Sequence, residues 1–291
     1  MTRRDAALLL PPGAAIALLA GLGGALFGLA GAVAGAVAGA LTGGGWSAWR
    51  HEKRRRRRAL LSAPFPSRWR TILAHRCDTY VRLPGEWRLR FEQGVRLFLS
   101  DKRITGVGVS ATDELRVLVA ASAVTLSVGW DDYAWPQLSE VLLYAQDFDR
   151  HYAFDSPDLS GQTHPWGTVI LSVPTLIESF ARPDDAFHVG FHEFAHLLDV
   201  ESAHFDGAPA GLGDDAARQW AEVLEAERGR LRKGGVIDPY GERDPVEFFA
   251  VAVEAFFECP EDLAHEHPRL HGLLRDFFRQ DPAAWDRARL G

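Results

Sequence analysis

By the spacing of its apolar positions, the chain changes character near residue 60. Residues 7–45, ALLLPPGAAIALLAGLGGALFGLAGAVAGAVAGALTGGG, run without a charge, and Thr42 is their one polar side chain. A helix needs about 20 apolar residues to cross a bilayer, so this run is long enough for one pass, or for two if the first is short. Gly31, Gly35, Gly39 and Gly43 recur at every fourth place, the small-residue face on which membrane helices pack closely. From about residue 60 the pattern is that of a soluble domain. Apolar residues three and four apart predict helices over 67–80, 86–99 and 111–126, the last capped by Ser110 or Thr112. Short aliphatic runs bounded by Pro and Gly predict strands over 139–148 and 167–173. Helical spacing returns over about 184–200, 214–232, 245–258 and 268–279. The sum is an α+β fold, mostly helical with a small β-sheet, preceded by an N-terminal apolar helical anchor.

Charge divides the chain at the same place. Residues 1–58 hold nine Lys or Arg against two acids, a net of +7, and since the whole chain carries −7 the remainder carries −14. So acidic a body argues against nucleic-acid binding, which depends on neutralising phosphates. The basic part belongs to the anchor: WSAWR at 46–50 and KRRRRR at 53–58 follow the apolar run directly. Tryptophans at a membrane edge and cations just beyond it fit an interfacial belt with a cytoplasmic flank. The expected organisation is a membrane segment over 1–58 and a folded domain over 59–291 facing the cytoplasm, at the inner membrane. A signal peptide fits less well, because its apolar core is shorter, roughly 7–15 residues, and five consecutive arginines oppose export. An Ala/Gly-rich leader on a soluble cytoplasmic protein is the plainer alternative. The polybasic flank gains about 1 kcal/mol per Lys or Arg from anionic lipids, enough to hold the domain against the inner leaflet. Cys77 and Cys259 are far apart and make neither a disulfide framework nor a metal pair.

Candidate chemistry lies in HVGFHEFAHLLDV, residues 188–200. Helical residues four apart share a face, so His192 and His196 can both turn a ring nitrogen toward one ion. Glu193, rotated by about 100°, is placed to accept a proton from an attacking water and pass it to a leaving amine. That is the content of the H-E-x-x-H pattern, whose chance expectation with 11 His and 39 acids in 291 residues is roughly 0.06. A catalytic zinc takes three protein ligands and keeps one position open. The third is sought in IDPYGERDPVEFFAVAVEAFFECP, residues 237–260. Here Asp244, Pro245 and Glu247 have the form of a capped helix start, and the helix that follows is apolar on nearly every side. A carboxylate on a buried helix is costly unless paired or bound to metal. Glu247 and, on the same face, Glu254 are the two candidates, with Glu254 alternatively accepting from a histidine N–H.

HEFAHLLD together with YGERDPVEFFAVAVEAFFE resembles the Mlc titration factor A (MtfA) family of zinc-dependent peptidases, over about residues 64–282. The same pairing is distantly similar to the catalytic domain of anthrax lethal factor. The resemblance implies a zincin-like, gluzincin-type metallopeptidase domain with Zn2+ held by His192, His196 and Glu247 rather than Glu254. It further implies Glu193 as general base and Tyr240, seven residues before Glu247, as a catalytic donor to the developing oxyanion. Aminopeptidase-like cleavage of a peptide or protein substrate, and a link to a transcriptional regulator of sugar uptake, follow as expectations. The alternative is a non-catalytic zinc-containing binding module that sequesters a regulatory protein at the membrane. Asp199 can orient a ligand histidine or close a salt bridge at the helix end; His188 is expected to be a partly exposed helix-start residue; His151 and His164 are unassigned.

Overall fold

The computed structural model describes residues 12–131, 133–146, 167–200 and 214–285. The chain divides into two compact units, Met1–Pro64 and Phe65–Gly291.

In the first unit a single long helix, α1 (Pro12–Ser62), is interrupted at Gly28, whose φ of 67° and ψ of −152° are non-helical. A side chain there would be strained, so glycine marks the join between two helical stretches. From Gly28 to Ser62, α1 is the one helix among the described residues long and apolar enough to cross a membrane. Leu29, Val33, Val37 and Leu41, four apart and therefore on one face, are exposed. The helix continues through residues 53–58. Successive helical residues turn by about 100°, so six cations in a row encircle the helix instead of lining one side. Glu52 draws in Arg55 and Arg56 at 3.0 and 2.9 Å, and the Arg50 guanidinium lies 4.5 Å from the centre of the Trp46 ring.

The second unit opens with α2 (Ser67–Arg76) and α3 (Asp78–Arg82). The sequence pattern predicts one helix here, but Cys77, with φ −110° and ψ 97°, leaves the helical region and divides it. After α4 (Gly85–Asp101) comes β1 (Arg103–Val107), a strand the pattern does not announce because Ile104 is its one buried residue. It pairs in parallel with β2 (Glu140–Tyr144), which pairs in parallel with β3 (Thr168–Ser172), so that Ile104, Val141 and Val169 are in register. The crossover from β1 to β2 carries α5 (Asp113–Ser127), capped by Thr112, whose hydroxyl accepts from Leu115 N–H at 3.3 Å. Every residue of α5 from Val117 onward is buried, as expected of a helix apolar on all sides.

Five further α-helices follow among the described residues before the last: α6 (Val173–Ala181), α7 (Val189–Val200), α8 (Asp214–Arg228), α9 (Pro245–Glu258) and α10 (Pro260–Glu266), with α11 (Pro268–Phe278) closing the set. α6 and α10 are additions to the predicted elements, and α7 starts at Val189 rather than near 184 because Ala186 takes a positive φ of 58°. All of α9 from Glu247 to Glu258 is buried. α7 is packed between α5 and α9, with β3 and α6 at its flanks. A Cβ at Gly190 would lie 2.6 Å from Ser122 Cβ on α5, so a glycine is what lets α7 come this close. The unit is thus mostly helical around a small sheet, and α7 is held from several sides.

Candidate metal centre

α7 carries His192, Glu193 and His196. The spacing of four brings the two histidine rings together edge to face, with centroids 4.7 Å apart and planes at 87°. α9 brings the acid. Asp244 is its N-cap, accepting from Glu247 N–H at 2.9 Å, and Pro245 stands at the first position, where its missing N–H has no consequence. Glu247 therefore has its backbone satisfied by Asp244, and its side chain is left to face α7. Its Oε2 lies 3.1 Å from His192 Nε2 and 3.6 Å from His196 Nε2.

Glu254, two turns along the same face of α9, meets the other side of the same ring. Its Oε1 is 2.8 Å from His192 Nδ1, and its Oε2 accepts from His188 N–H at 2.5 Å. An ionised carboxylate can only accept, so Nδ1–H is directed at Glu254 and Nε2 is the ring nitrogen left facing Glu247 and His196. Of the two carboxylates that the sequence leaves open, then, Glu247 faces the two Nε2 atoms and Glu254 holds the ring that one of them belongs to.

One ligand atom from each of His192, His196 and Glu247 lies within 4.8 Å of the others. Oε2 of Glu247 is buried with no well-directed hydrogen bond, and a buried acceptor in that state costs roughly 1–3 kcal/mol. A cation among the three atoms would satisfy it, and two imidazole nitrogens with one carboxylate oxygen are a donor set that suits zinc. The residues present therefore fit a metal ion.

The electrostatics of the cluster follow from burial against pairing. Burial alone would lower the His192 pKa, but the Glu254 and Glu247 carboxylates outweigh it and hold the imidazole well above its ordinary value. Burial would raise Glu247, and the rings of His192 and His196 close beside its Oε2 reverse this, taking its carboxyl below the usual range. For Glu193 burial wins over the two histidines, and its carboxyl is pushed up. A carboxylate so raised is a better proton acceptor than an exposed one.

Tyr240 lies in the 3₁₀ turn Pro239–Glu242, whose N-cap Asp238 accepts from Tyr240 N–H at 2.8 Å. The ring is half-buried, 6.4 Å from the His192 ring, and its phenol oxygen accepts from Arg243 Nη1 at 2.6 Å. A Cβ at Gly241 would come 2.9 Å from Val251 Cγ2 and 3.1 Å from Phe248 Cα, so this glycine seats the turn directly on α9. Arg243 has no part in the sequence reading; its only signal is its place between Tyr240 and the Asp244 cap.

His188 corrects an expectation. It is 2% exposed, not a partly exposed helix-start residue. Its Nδ1 accepts from Phe191 N–H at 3.2 Å, its ring stacks on Phe191 at 3.7 Å and meets Phe180 edge-on, and burial lowers its pKa to about 3. The sequence does not show this because the histidine acts as the cap of a helix whose start is buried. Asp199 is fully buried, one residue before the last of α7. His151 and His164 lie outside the described residues. Cys77 is buried, Cys259 is half-buried, and neither is in a disulfide.

Comparison with known proteins points to a metallopeptidase family. The model of the family described as glucose-regulated metallo-peptidase M90 matches residues 50–279, a span that contains all of these site residues. An uncharacterised protein of Synechocystis sp., slr2042, is 32% identical over 255 residues, covering 81% of this chain and 90% of its own. Mlc titration factor A of Edwardsiella ictaluri is 30% identical over 185 residues, 58% of this chain and 69% of that one, and its counterpart in Salmonella agona is 28% identical over 226 residues, 70% and 83%. With most of the chain matched by the family model, and with homologues that bear the MtfA name, this protein belongs to the M90 (MtfA) metallopeptidase family.

Proposed function

We propose that the protein is a zinc-dependent peptidase with His192, His196 and Glu247 as metal ligands, Glu193 as general base and Tyr240 as an oxyanion donor, tethered to the inner membrane and facing the cytoplasm. The observation that carries the catalytic reading is the buried Glu247 oxygen without a well-directed hydrogen bond, set before two histidine nitrogens, with a raised carboxyl on the same helix. A structural zinc usually has four closed ligands and needs no base; three ligands beside a free acid is the catalytic pattern. When bound, zinc would supply Lewis acidity, polarising the scissile carbonyl and lowering the pKa of the attacking water. The chain's own groups do the rest. Glu193 takes the water proton as the oxygen adds to the carbonyl carbon, then delivers it to the amine nitrogen as the C–N bond breaks. Tyr240 donates to the oxygen on which negative charge grows. Glu254, through Nδ1, keeps His192 in the tautomer and orientation that the metal requires.

For the tether, the support is the length and composition of Gly28–Ser62 and its cationic end, placed as the positive-inside rule requires. The relatives named Mlc titration factor A support a regulatory protein as partner or substrate. The test is zinc content and hydrolysis of aminoacyl p-nitroanilides and internally quenched peptides by the full chain in detergent, for wild type and Glu193→Gln. Zinc-loaded wild type that cleaves none of them refutes the enzyme reading in favour of the non-catalytic binding module. Recovery of the full chain in the salt-washed soluble fraction of cells would refute the tether.

A further inference from the structure

Tyr240, Arg243, Asp244 and Glu247 lie within one short stretch, and the structure gives that stretch a single mechanical character. The 3₁₀ turn ends at Glu242, Arg243 is its C-cap, and the next residue, Asp244, caps α9. Gly241 packs the turn against Phe248 and Val251 without room for a methyl group. Arg243 ties the two ends together: Nη1 donates to the Tyr240 phenol oxygen at 2.6 Å, the guanidinium carbon lies 5.8 Å from the centre of the same ring, and Nη1 is 4.0 Å from Glu247 Oε1.

A guanidinium has donors only, so the phenol oxygen can serve it only as acceptor, and the phenol hydrogen must be directed elsewhere. A charge-assisted bond of this length also fixes the ring and polarises the O–H toward giving up its hydrogen. A neutral donor or a water would do neither as well. We infer that Arg243 is a positioning residue for the peptidase reaction, holding Tyr240 in the orientation and polarity needed to donate to the oxyanion. It touches no substrate in this role; it acts through the tyrosine. Because charge on the carbonyl oxygen develops on the way to the transition state, loss of Arg243 lowers kcat and leaves KM nearly unchanged.

The inference rests on the proposed peptidase reading, and a double-mutant cycle separates the two. With zinc-loaded full chain in detergent and the p-nitroanilide that wild type cleaves best, kcat and KM are measured for wild type, Y240F, R243Q, R243K and Y240F/R243Q. Zinc content and thermal midpoint are followed in each. The expected result is a fall in kcat of about tenfold for R243Q with KM within about twofold, partial recovery in R243K, and a change of under about twofold when R243Q is added to Y240F. An independent readout needs no turnover. With five tyrosines in the chain, the Cζ resonance of 13C-labelled Tyr240, assigned by its loss in Y240F, is expected to move in R243Q. If that resonance stays in place, or if R243Q costs as much in the Y240F background as in wild type, the role of Arg243 is refuted while the peptidase reading stands. Absence of any turnover by zinc-loaded wild type refutes the peptidase reading and the role of Arg243 with it.

Discussion

The two helices of the metal centre place their groups by different means. α7 needs only its own periodicity: a spacing of four puts His192 and His196 on one face, and Glu193 is turned aside by one residue. α9 contributes two carboxylates seven residues apart, and neither has meaning within α9 alone. Glu247 finds the Nε2 side of His192 and Glu254 the Nδ1 side only because α9 is buried against α7. His192 is thus gripped from both nitrogens by one helix, while His196 receives only Glu247 from that helix among the described contacts. A motif of local spacing gives the ligand pair, and tertiary packing gives the third ligand and the tautomer.

That contrast can be broken at its strongest point first. Glu247→Ala, which leaves α7 untouched, is expected to lose stoichiometric zinc after dialysis, and turnover with it; metal analysis by mass spectrometry checks this, and full retention of zinc would move the third ligand elsewhere. Glu193→Gln should do the converse, keeping zinc while turnover drops about 10²–10⁴-fold, the range that general-base catalysis supplies. Glu254→Gln sharpens the comparison, since it keeps the volume of the side chain but weakens the grip on Nδ1. Zinc affinity measured by competition with a chelator should fall about 10–100-fold, less than for Glu247→Ala. The smallest effect concerns the start of α7. The unfolded chain protonates His188 near its ordinary value, whereas the folded chain resists protonation down to about 3. The unfolded state therefore binds more protons between these limits, and stability is lost as pH falls from about 6.5 toward 3. His188→Asn keeps an acceptor for Phe191 N–H, so its thermal midpoint should change less than that of wild type between pH 7 and pH 5.

How much of this the sequence makes legible follows the same division. Most of the longer helices, the N-terminal apolar run and the α7 pair follow from apolar runs or spacings of three and four residues and can be read directly, whereas the short α6 and α10 cannot. The cap at Asp244 can be read as well, because Asp, Pro and Glu each have a positional reason to be there. β1 cannot, since a strand with one buried residue and a glycine, Gly106, among its five shows no alternation. Nor can the choice between Glu247 and Glu254 be read from α9: both lie on one face, and helix geometry treats them alike. In the structure their roles differ because one meets Nε2 and the other Nδ1 of the same ring. Burial of His188 escapes for a related reason, since a histidine before a helix reads as exposed unless the neighbouring carboxylate and aromatic rings are known.

Gly190 shows how narrow the tolerances around the centre are. It stands two residues before His192, where α7 crosses α5 at the side of Ser122. A methyl group there would act as a wedge under one end of a lever. Because both histidines ride on the same rigid helix, the wedge would leave their mutual spacing intact and change their placement relative to Glu247 and Glu254 on α9. A protein altered in this way would still display an unblemished H-E-x-x-H signature to any reader of its sequence, with the third side of the triangle displaced.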